Sequence, residues 1–300
     1  MSPFSPTRYR VLFNPIAGRR KQSRIHDIVG RLRSNGADVD ITPTSGPGHA
    51  VELARDAALA SDVDVIIAAG GDGTISECAT GLLEAGRRGV SYDALVPLGI
   101  LPMGTANVLA MDLGLVTVAG IARRRIARTL LCGNVRPLQV GLVSNALEER
   151  AFVMMVGAGF DGAAVGAVDP ITKKRFGKVA YVKAGIEAII AGPGEGAVLE
   201  QEGKPLSKSA WVIVTNGQHY AGGYRLTKRT SLNRRGLAAL SINGISRLSI
   251  VRSNAALGLR LFDSPQNSKA HMGDTFRIDG PGRDCLVEVD GDYFGLAPVE

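Results

Sequence analysis

The sequence has few cysteines, few histidines and no long apolar run. Its three cysteines, Cys78, Cys132 and Cys285, are far apart among apolar neighbours, which predicts reduced core thiols rather than a disulfide framework or a zinc site. The four histidines show no metal-ligand spacing. No run approaches the ~20 apolar residues that span a bilayer, and residues 1–6 lack the pattern of a signal peptide. We therefore expect a cytoplasmic protein.

Aromatic residues are also scarce, at 5% of the chain, while positive charge is in excess. The net charge is +7, and residues 171–235 carry 12 Lys or Arg against 4 Asp or Glu. Such a segment can face anionic lipid, nucleic acid or a phosphorylated ligand, and an ordinary solvated face is an equal alternative. Because few aromatic residues interleave with the basic ones, we expect no nucleic-acid partner.

One short apolar segment ends in three glycines around an aspartate. Residues 63–69 are apolar apart from Asp64, which predicts a buried strand of a parallel sheet. In residues 70–73, glycine N–H groups can converge on an anion because no Cβ stands in the way. Thr74 is predicted to cap the next helix, whose N-terminus favours phosphate. For this stretch alone, the alternative is an ordinary turn with Asp72 on the surface.

Two further predicted strands end in similar loops. The strand predicted at 9–13 is followed by Asn14-Pro15-x-x-Gly18 and three basic residues, and the strand predicted at 94–98 is followed by a loop of small and hydroxyl residues at 100–107. Strands alternate with helices throughout this half, which predicts a doubly wound sheet that binds ligands at the carboxyl ends of its strands. The agreement of three loops predicts a nucleotide site.

The second half of the chain changes to period-two patterns. They occupy 138–142, 152–156, 211–216, 237–242, 275–278 and 286–289. Helices are predicted before and among these segments, at 118–131, 177–191 and about 248–261. We therefore predict an α/β plus β protein with a Rossmann-like α/β domain at 1–134 and an antiparallel β-sandwich domain at 135–292.

These motifs resemble the diacylglycerol kinase catalytic family, the bacterial lipid kinases related to sphingosine kinases. The matching residues cover nearly the whole chain and are Asn14-Pro15-x-x-Gly18, Thr44, Gly70-Gly71-Asp72-Gly73-Thr74 with Glu77, Pro102-x-Gly104-Thr105-x-Asn107, Gly159-Phe160-Asp161 and Asp290-Gly291-Asp292. The glycine-aspartate-glycine core is shared with NAD kinases. The resemblance implies an active site in the cleft between the two domains and a tail, about 293–300, that packs back on the first domain.

The resemblance also implies roles for individual residues. The residues implied in ATP binding are Asn14, Thr44, Gly70, Gly71, Asp72, Gly73, Thr74, Ile75, Ser76, Gly104, Thr105 and Asn107. Asp72 would help orient the triphosphate and its Mg²⁺, and Asp290 would be the general base for the lipid hydroxyl. One carboxylate near the attacking oxygen suffices for phosphoryl transfer. For Asp290-Gly291 alone, a hairpin turn is the alternative.

The sequence departs from the family pattern at three acidic positions. Val108 follows Asn107 where the family often has aspartate, and the family's aspartate near Gln139 is missing. Arg235 stands where relatives have an aspartate that helps hold a structural Mg²⁺. Since an arginine cannot be a metal ligand, we predict that this second metal site is absent.

The leading hypothesis is an ATP-dependent lipid kinase, with ATP and Mg²⁺ as cofactors, that acts on a hydroxyl of diacylglycerol or a related lipid. The expected partners are that lipid and an anionic membrane surface, contacted transiently through the basic residues 171–235. A homodimer is an alternative to a monomer. The rival functions are NAD kinase and a catalytically silent nucleotide- or lipid-binding relative. A sphingoid base and a glycolipid are equally compatible acceptors.

Overall fold

The computed structural model describes residues 5–15, 22–117, 120–121, 123–167, 178–192, 194–221, 223–280 and 285–300, with the backbone alone for 178–182. The chain divides into two compact units between Pro137 and Leu138. No helix in these ranges is long and apolar enough to cross a membrane.

The first unit is built on a four-stranded parallel sheet with the order β2-β1-β3-β4. Its strands are β1 (Arg8–Phe13), β2 (Asp38–Pro43), β3 (Val65–Gly70) and β4 (Leu98–Pro102), with a short hairpin of β5 (Val116–Thr117) and β6 (Gly120–Ile121). Its helices are α1 (Gln22–Ser34), α2 (His49–Ala60), α3 (Asp72–Arg87), α4 (Val108–Asp112) and α5 (Arg123–Leu131).

Both faces of this sheet are buried, as the apolar run in β3 predicts. Val65, Ile67 and Ala69 lie in a core cluster with side chains of α1 and α5. Ile66 and Ala68 point to the opposite face and are also fully buried. Helices α2 and α3 pack tightly at Gly81, where an added Cβ would lie 2.3 Å from the carbonyl oxygen of Val51. Covered on both faces, the sheet exposes its loops at the strand ends.

The second unit contains antiparallel sheets. A six-stranded sheet has the order β16-β15-β12-β9-β18-β19, and a three-stranded sheet has the order β11-β10-β17. The strands are β7 (Gly141–Ser144), β8 (Glu149–Phe152), β9 (Met155–Gly159), β10 (Ala197–Gln201), β11 (Lys204–Ser209), β12 (Trp211–Thr215), β13 (His219–Tyr220), β14 (Tyr224–Arg225), β15 (Leu237–Ile242), β16 (Ser268–Gly273), β17 (Arg277–Asp279), β18 (Leu286–Val289) and β19 (Asp292–Leu296). The helices are α6 (Phe160–Gly166), α7 (Lys178–Ala191) and α8 (Arg247–Gly258).

The two main antiparallel sheets share one apolar core. Leu199 of β10 and Ile278 of β17 lie in the same buried cluster as Val212 of β12 and Val287 of β18. The predicted fold class, a Rossmann-like parallel sheet followed by an antiparallel β unit, is therefore confirmed.

Several element boundaries differ from the predictions. The strand predicted at 94–98 is Leu98–Pro102, because a 3₁₀ turn occupies Tyr92–Ala94. The helix predicted at 118–131 starts at Arg123, since Gly120 has a φ of 110° in the β5–β6 hairpin. The strands predicted at 138–142, 152–156 and 275–278 are also displaced, and the structure adds α6, β10 and β11. Cys132 is exposed, whereas Cys78 and Cys285 are buried free thiols, as expected.

The C-terminal tail forms hydrogen bonds within the second unit, where β19 pairs antiparallel with β18. That residues 293–300 pack on the first unit stays a prediction. Val299 exchanges backbone hydrogen bonds with Ile278, and Glu300 does so with Ser144. The physical reason is the two-residue turn before β19, which reverses the chain and directs the tail along strands of the second unit.

Candidate functional site

The predicted nucleotide-binding residues of the first unit lie at the carboxyl ends of its four parallel strands. Asn14 follows β1, Thr44 follows β2, Gly71 follows β3, and residues 103–107 follow β4. In parallel strands these ends meet at one edge of the sheet, where α/β proteins bind their ligands.

Asn14 and Thr44 are tied to the neighbouring strands. The Asn14 N–H donates to the carbonyl oxygen of Ala69 over 3.1 Å, and the Thr44 N–H donates to that of Phe13 over 2.8 Å. The Asn14 side chain donates through Nδ2 to Thr74 Oγ1 over 3.4 Å. These bonds place the first loop beside the beginning of α3.

The loops after β3 and β4 touch through two glycines. A Cβ built on Gly104 would lie 2.5 Å from the Cα of Gly71, and one built on Gly71 would lie 3.2 Å from the Cα of Gly104. The N–H of Met103 also donates to the carbonyl oxygen of Gly70 over 2.7 Å. Because both contacts are between backbones, a side chain at Gly104 has no room unless the loops separate.

Helix α3 begins earlier than the sequence predicts. Its N-cap residue is Gly71, in an extended conformation, and Asp72 is already helical, so Thr74 does not cap the helix. Instead, the Thr74 side chain covers Gly70, where an added Cβ would lie 2.3 Å from Thr74 Oγ1. The first N–H groups of α3 have no acceptor within the helix, which is the usual basis of anion binding at this position.

Asp72 joins the two glycine loops. Its Oδ1 accepts the N–H of Leu109 over 3.2 Å, and its carboxyl group also receives backbone hydrogen bonds from Asn107 and Val108 at the start of α4. Burial raises the pKa of Asp72, against the opposing effect of these N–H groups. Sequence reasoning assigned Asp72 to the triphosphate and missed this capping role.

The other predicted residues of this edge differ in accessibility. Thr105 is exposed, whereas the Ile75 side chain is fully buried and its N–H donates to the carbonyl oxygen of Gly71. Ser76 is also buried in α3. Asn107 adopts a left-handed conformation with a φ of 52° and donates through Nδ2 to the carbonyl oxygen of Gly104. Its Oδ1 is buried and has no hydrogen-bond partner among the described residues.

In the second unit, Asp290 occupies the turn between β18 and β19. Asp290 and Gly291 have φ values of 51° and 87°, as a two-residue hairpin turn requires. Asp290 Oδ2 accepts the N–H of Val153 over 2.8 Å, and Oδ1 accepts the N–H groups of Met154 and Met155 over 2.9 and 3.0 Å. Three backbone donors stabilise an ionised carboxylate.

Two further acidic side chains lie buried beside this turn. Asp161 and Glu288 are each 2% exposed, and Asp161 Oδ2 and Glu288 Oε1 both lie close to Gly157. Burial raises the pKa of Asp161 to about 6. Burial and then the charge of Asp161 raise the pKa of Glu288 well above its usual value. Sequence reasoning missed Glu288, although a glutamate two residues before Asp290 in an apolar strand was a visible signal.

Arg235 forms an exposed ion pair with Asp274, with 3.0 Å between Nη2 and Oδ2. Within the ranges that the structure describes, no cluster of three or more His, Cys, Asp or Glu side chains could hold a metal ion. The predicted absence of a second metal site stays a prediction.

Comparison with known families finds a match to the first unit. Residues 8–143 match the model of the diacylglycerol kinase catalytic domain. The diacylglycerol kinase of Bacillus subtilis is 26% identical over an alignment of 307 positions that covers 98% of this chain and 92% of that protein. A "Probable lipid kinase YegS-like" protein of Klebsiella pneumoniae is 29% identical over 213 residues, which is 71% of this chain and 67% of that protein.

A solved structure shows the same fold. The crystal structure of a diacylglycerol kinase from Bacillus anthracis superposes with a TM-score of 0.70 at 20% identity, covering 99% of this chain and 93% of that one. The resemblance inferred from the motifs is therefore confirmed.

Proposed function

We propose that the chain is an ATP-dependent lipid kinase, because residues 8–143 match the model of the diacylglycerol kinase catalytic domain. The proposed reaction transfers the γ-phosphoryl group to a hydroxyl of diacylglycerol or a related lipid. The observation that carries the proposal is the convergence of glycine-rich loops and a helix N-terminus at the carboxyl edge of the parallel sheet.

The residues at this edge fit a nucleotide. The contact between Gly71 and Gly104 leaves backbone rather than side chains at the loop surface, which suits phosphate oxygens. Asn107 Oδ1, which has no hydrogen-bond partner in the part of the chain that the structure describes, is an acceptor suited to a hydroxyl or amino group of the nucleotide. Mg²⁺–ATP, when bound, supplies the transferable phosphoryl group and neutralises part of its charge.

The residues proposed to hold this nucleotide are those expected from the sequence. Asn14, Thr44, Thr105 and Asn107 would surround it, and the glycine loops would present their N–H groups to the phosphates. Asp72 would contribute one carboxylate oxygen toward the metal while the other caps α4. Ile75 and Ser76 would support the site from within α3 rather than contact the ligand.

Asp290 is the proposed general base. Backbone N–H groups hold its carboxylate in a fixed orientation, so the group would accept the proton of the lipid hydroxyl without reorganising. A base with a single fixed carboxylate agrees with phosphoryl transfer, in which positioning and charge stabilisation dominate.

We also propose contact with an anionic membrane, where the lipid substrate resides. The outward faces of α7 and α8 support it: Ile190 and Leu248 are 66% and 76% exposed, and Val251 is also exposed. Helix α8 carries Arg247 and Arg252 and no acidic residue. Apolar side chains beside arginines suit an interface of acyl chains and anionic headgroups. Residues 171–177, part of the basic stretch, lie outside the described residues.

A kinase assay tests the proposed reaction. Purified protein, labelled ATP and Mg²⁺ are incubated with diacylglycerol, a sphingoid base, a glycolipid and, in a separate arm, NAD. We expect a labelled lipid and no labelled NADP. Labelled NADP would instead support an NAD kinase, and nucleotide binding without transfer to any acceptor would indicate a silent relative.

A vesicle assay tests the membrane contact independently of turnover. The double variant Ile190→Glu/Leu248→Glu should sediment with vesicles containing anionic lipid several-fold less than the unmodified protein. Leu147→Glu is the control, because Leu147 is 93% exposed in the turn between β7 and β8. Equal sedimentation of the double variant and the unmodified protein would place the contact elsewhere.

A further inference from the structure

Glu288 contacts the turn that carries Asp290. Its Oε2 accepts the N–H of Gly291 over 2.6 Å, and Gly291 is the residue that follows Asp290. The same strand, β18, leads directly into the turn. The position of the Glu288 carboxyl group therefore determines where one peptide group of the turn lies.

Asp161 holds Glu288 from the other side. The two carboxyl groups converge above Gly157, where an added Cβ would lie 2.3 Å from Asp161 Oδ2 and 2.6 Å from Glu288 Oε1. Tyr220 donates its hydroxyl hydrogen to Asp161 Oδ1 over 2.6 Å. The Asp161 side chain therefore lies between the Tyr220 hydroxyl and the Glu288 carboxyl group. Gly157 of β9 leaves room for it because glycine has no side chain.

Two carboxyl groups this close together can hydrogen-bond only if one of them carries a proton. Two ionised carboxylates in contact inside a protein repel each other strongly, and desolvation adds to the penalty. Asp290, two residues from Glu288, adds a further negative charge that acts on Glu288. One shared proton leaves the pair with a single negative charge, which the N–H of Gly291 and the hydroxyl of Tyr220 stabilise.

The described groups that face the pair come from several elements. Helix α6 contributes Asp161 itself, β9 contributes Gly157 with no titratable group, and β13 contributes the Tyr220 hydroxyl. The indole of Trp211 on β12 lies beside Asp161, and the turn contributes the Asp290 carboxylate.

We propose that Asp161 and Glu288 are positioning residues that share one proton and thereby hold the Asp290 turn in its active conformation. The inference rests on the proposed lipid kinase function, in which Asp290 is the base. Loss of the shared proton at higher pH would force the carboxylates apart, release Gly291 and displace Asp290. Neither residue is assigned contact with the substrate.

Two substitutions of Glu288 separate this role from simple packing. In Glu288→Gln, the amide oxygen accepts the N–H of Gly291 and the amide nitrogen donates to Asp161, so no shared proton is needed. Its turnover should stay within about twofold of the unmodified protein at pH 6, and its activity should no longer fall as the pH rises further. Glu288→Ala should lose about 100-fold in turnover, since a displacement near 1 Å has that order of effect. Glu148→Gln, at an exposed turn, is the matched control.

Infrared difference spectra and pH-dependent unfolding test the shared proton without turnover. At neutral pH the unmodified protein should show the carbonyl band of a protonated carboxylic acid, which Glu288→Gln lacks. Because burial and the charge of Asp161 raise the folded pKa of Glu288 well above its usual value, the contribution of Glu288 to stability is complete below the unfolded pKa of ~4 and is lost as the pH rises through the folded value. In Glu288→Gln this loss should disappear.

Each of three results would overturn the inference. The carbonyl band could be the same in Glu288→Gln and the unmodified protein, the activity of Glu288→Gln could fall with rising pH as that of the unmodified protein does, or Glu288→Ala could be fully active. The two proposals fail separately. If no lipid is phosphorylated by the unmodified protein, the proposed function fails, and the infrared and unfolding measurements still decide whether Asp161 and Glu288 share a proton.

Discussion

The strand-end loops of the first unit and the Asp290 turn of the second unit are constructed in opposite ways. The loops depend on missing side chains, because Gly71 and Gly104 bring two backbones into contact. The turn depends on charged side chains, because Asp290 and Glu288 are held by N–H groups and by another acid. The comparison indicates that added volume should impair the first region, whereas a change of charge should impair the second.

The largest effect is expected for Asp290→Asn. The amide would place N–H groups against at least one of the backbone donors that the carboxylate now accepts, and it cannot act as a base. Turnover should fall by about 10²–10⁴, while ATP binding, measured by calorimetry, should be unchanged. Glu148→Gln is the control for a neutralised carboxylate in this unit, and thermal unfolding reports whether the variant is folded. Turnover near that of the unmodified protein would remove Asp290 from the proposed mechanism.

Unlike Asp290→Asn, Gly104→Ala should weaken ATP binding as well as turnover. Its Cβ would lie 2.5 Å from the Cα of Gly71, so the two loops must separate, and a shift of this size should weaken ATP binding and reduce turnover by about 100-fold. Gly30→Ala is the matched control, since nothing lies within 4 Å of a Cβ there. If calorimetry shows equal ATP affinity for both variants, the contact between the glycines is not what forms the site.

Asp64→Asn should reduce stability with no effect on ATP binding. Hydrogen bonds from Thr7 and Arg8 outweigh partial burial and lower the pKa of Asp64 to about 2. Because the folded pKa is depressed, this stability is present above the unfolded pKa of ~4 and is lost as the pH falls toward 2. The variant should lose on the order of 2 kcal/mol at neutral pH in denaturant titrations.

The control for Asp64 is Asp40→Asn, which removes a more exposed carboxylate that pairs with Arg10. Exposed ion pairs contribute about 0–1 kcal/mol, so its unfolding should shift little. An equal shift for both variants would mean that the backbone bonds of Asp64 add nothing beyond an ordinary surface charge.

The smallest effect on stability is expected at Asp72. Two substitutions there distinguish capping of α4 from orientation of Mg²⁺. Asp72→Asn keeps an oxygen for the start of α4 and should change the free energy of unfolding by less than about 0.5 kcal/mol, whereas Asp72→Ala should lose about 1 kcal/mol. Both should lower turnover if the charge orients Mg²⁺. Full turnover of Asp72→Asn would leave helix capping as the sole role.

The first unit was largely predictable because its signals are local. The alternation of strands and helices and the glycines after β3 lie within short windows, and the strand at Leu237–Ile242 in the second unit was also correct from its local pattern. The start of α3 was less predictable. Whether the helix begins at Asp72 or Thr74 depends on how the loop after β4 contacts Gly71, which no local pattern contains.

The surroundings of Asp290 could not be predicted because its partners are distant in sequence. The N–H groups that it accepts are 135 to 137 residues away, and Asp161 meets Glu288 only after β9 and β18 pair. The pairing of the tail within the second unit could not be predicted for a related reason. The pattern of a polar turn followed by a short strand does not indicate which sheet that strand will join.

The two acidic residues of α3 that cap its neighbours have a further consequence. Asp72 binds the start of α4, and Glu77 accepts the N–H groups of Gly48 and Ala50 at the start of α2. Helix α3 therefore fixes the positions of the two loops that lead into α2 and α4 before any ligand binds. The conformational entropy of those loops is lost during folding rather than on binding, which favours a tighter complex. Weakening either cap should thus appear as a less favourable binding entropy, with the contacts to the nucleotide themselves intact.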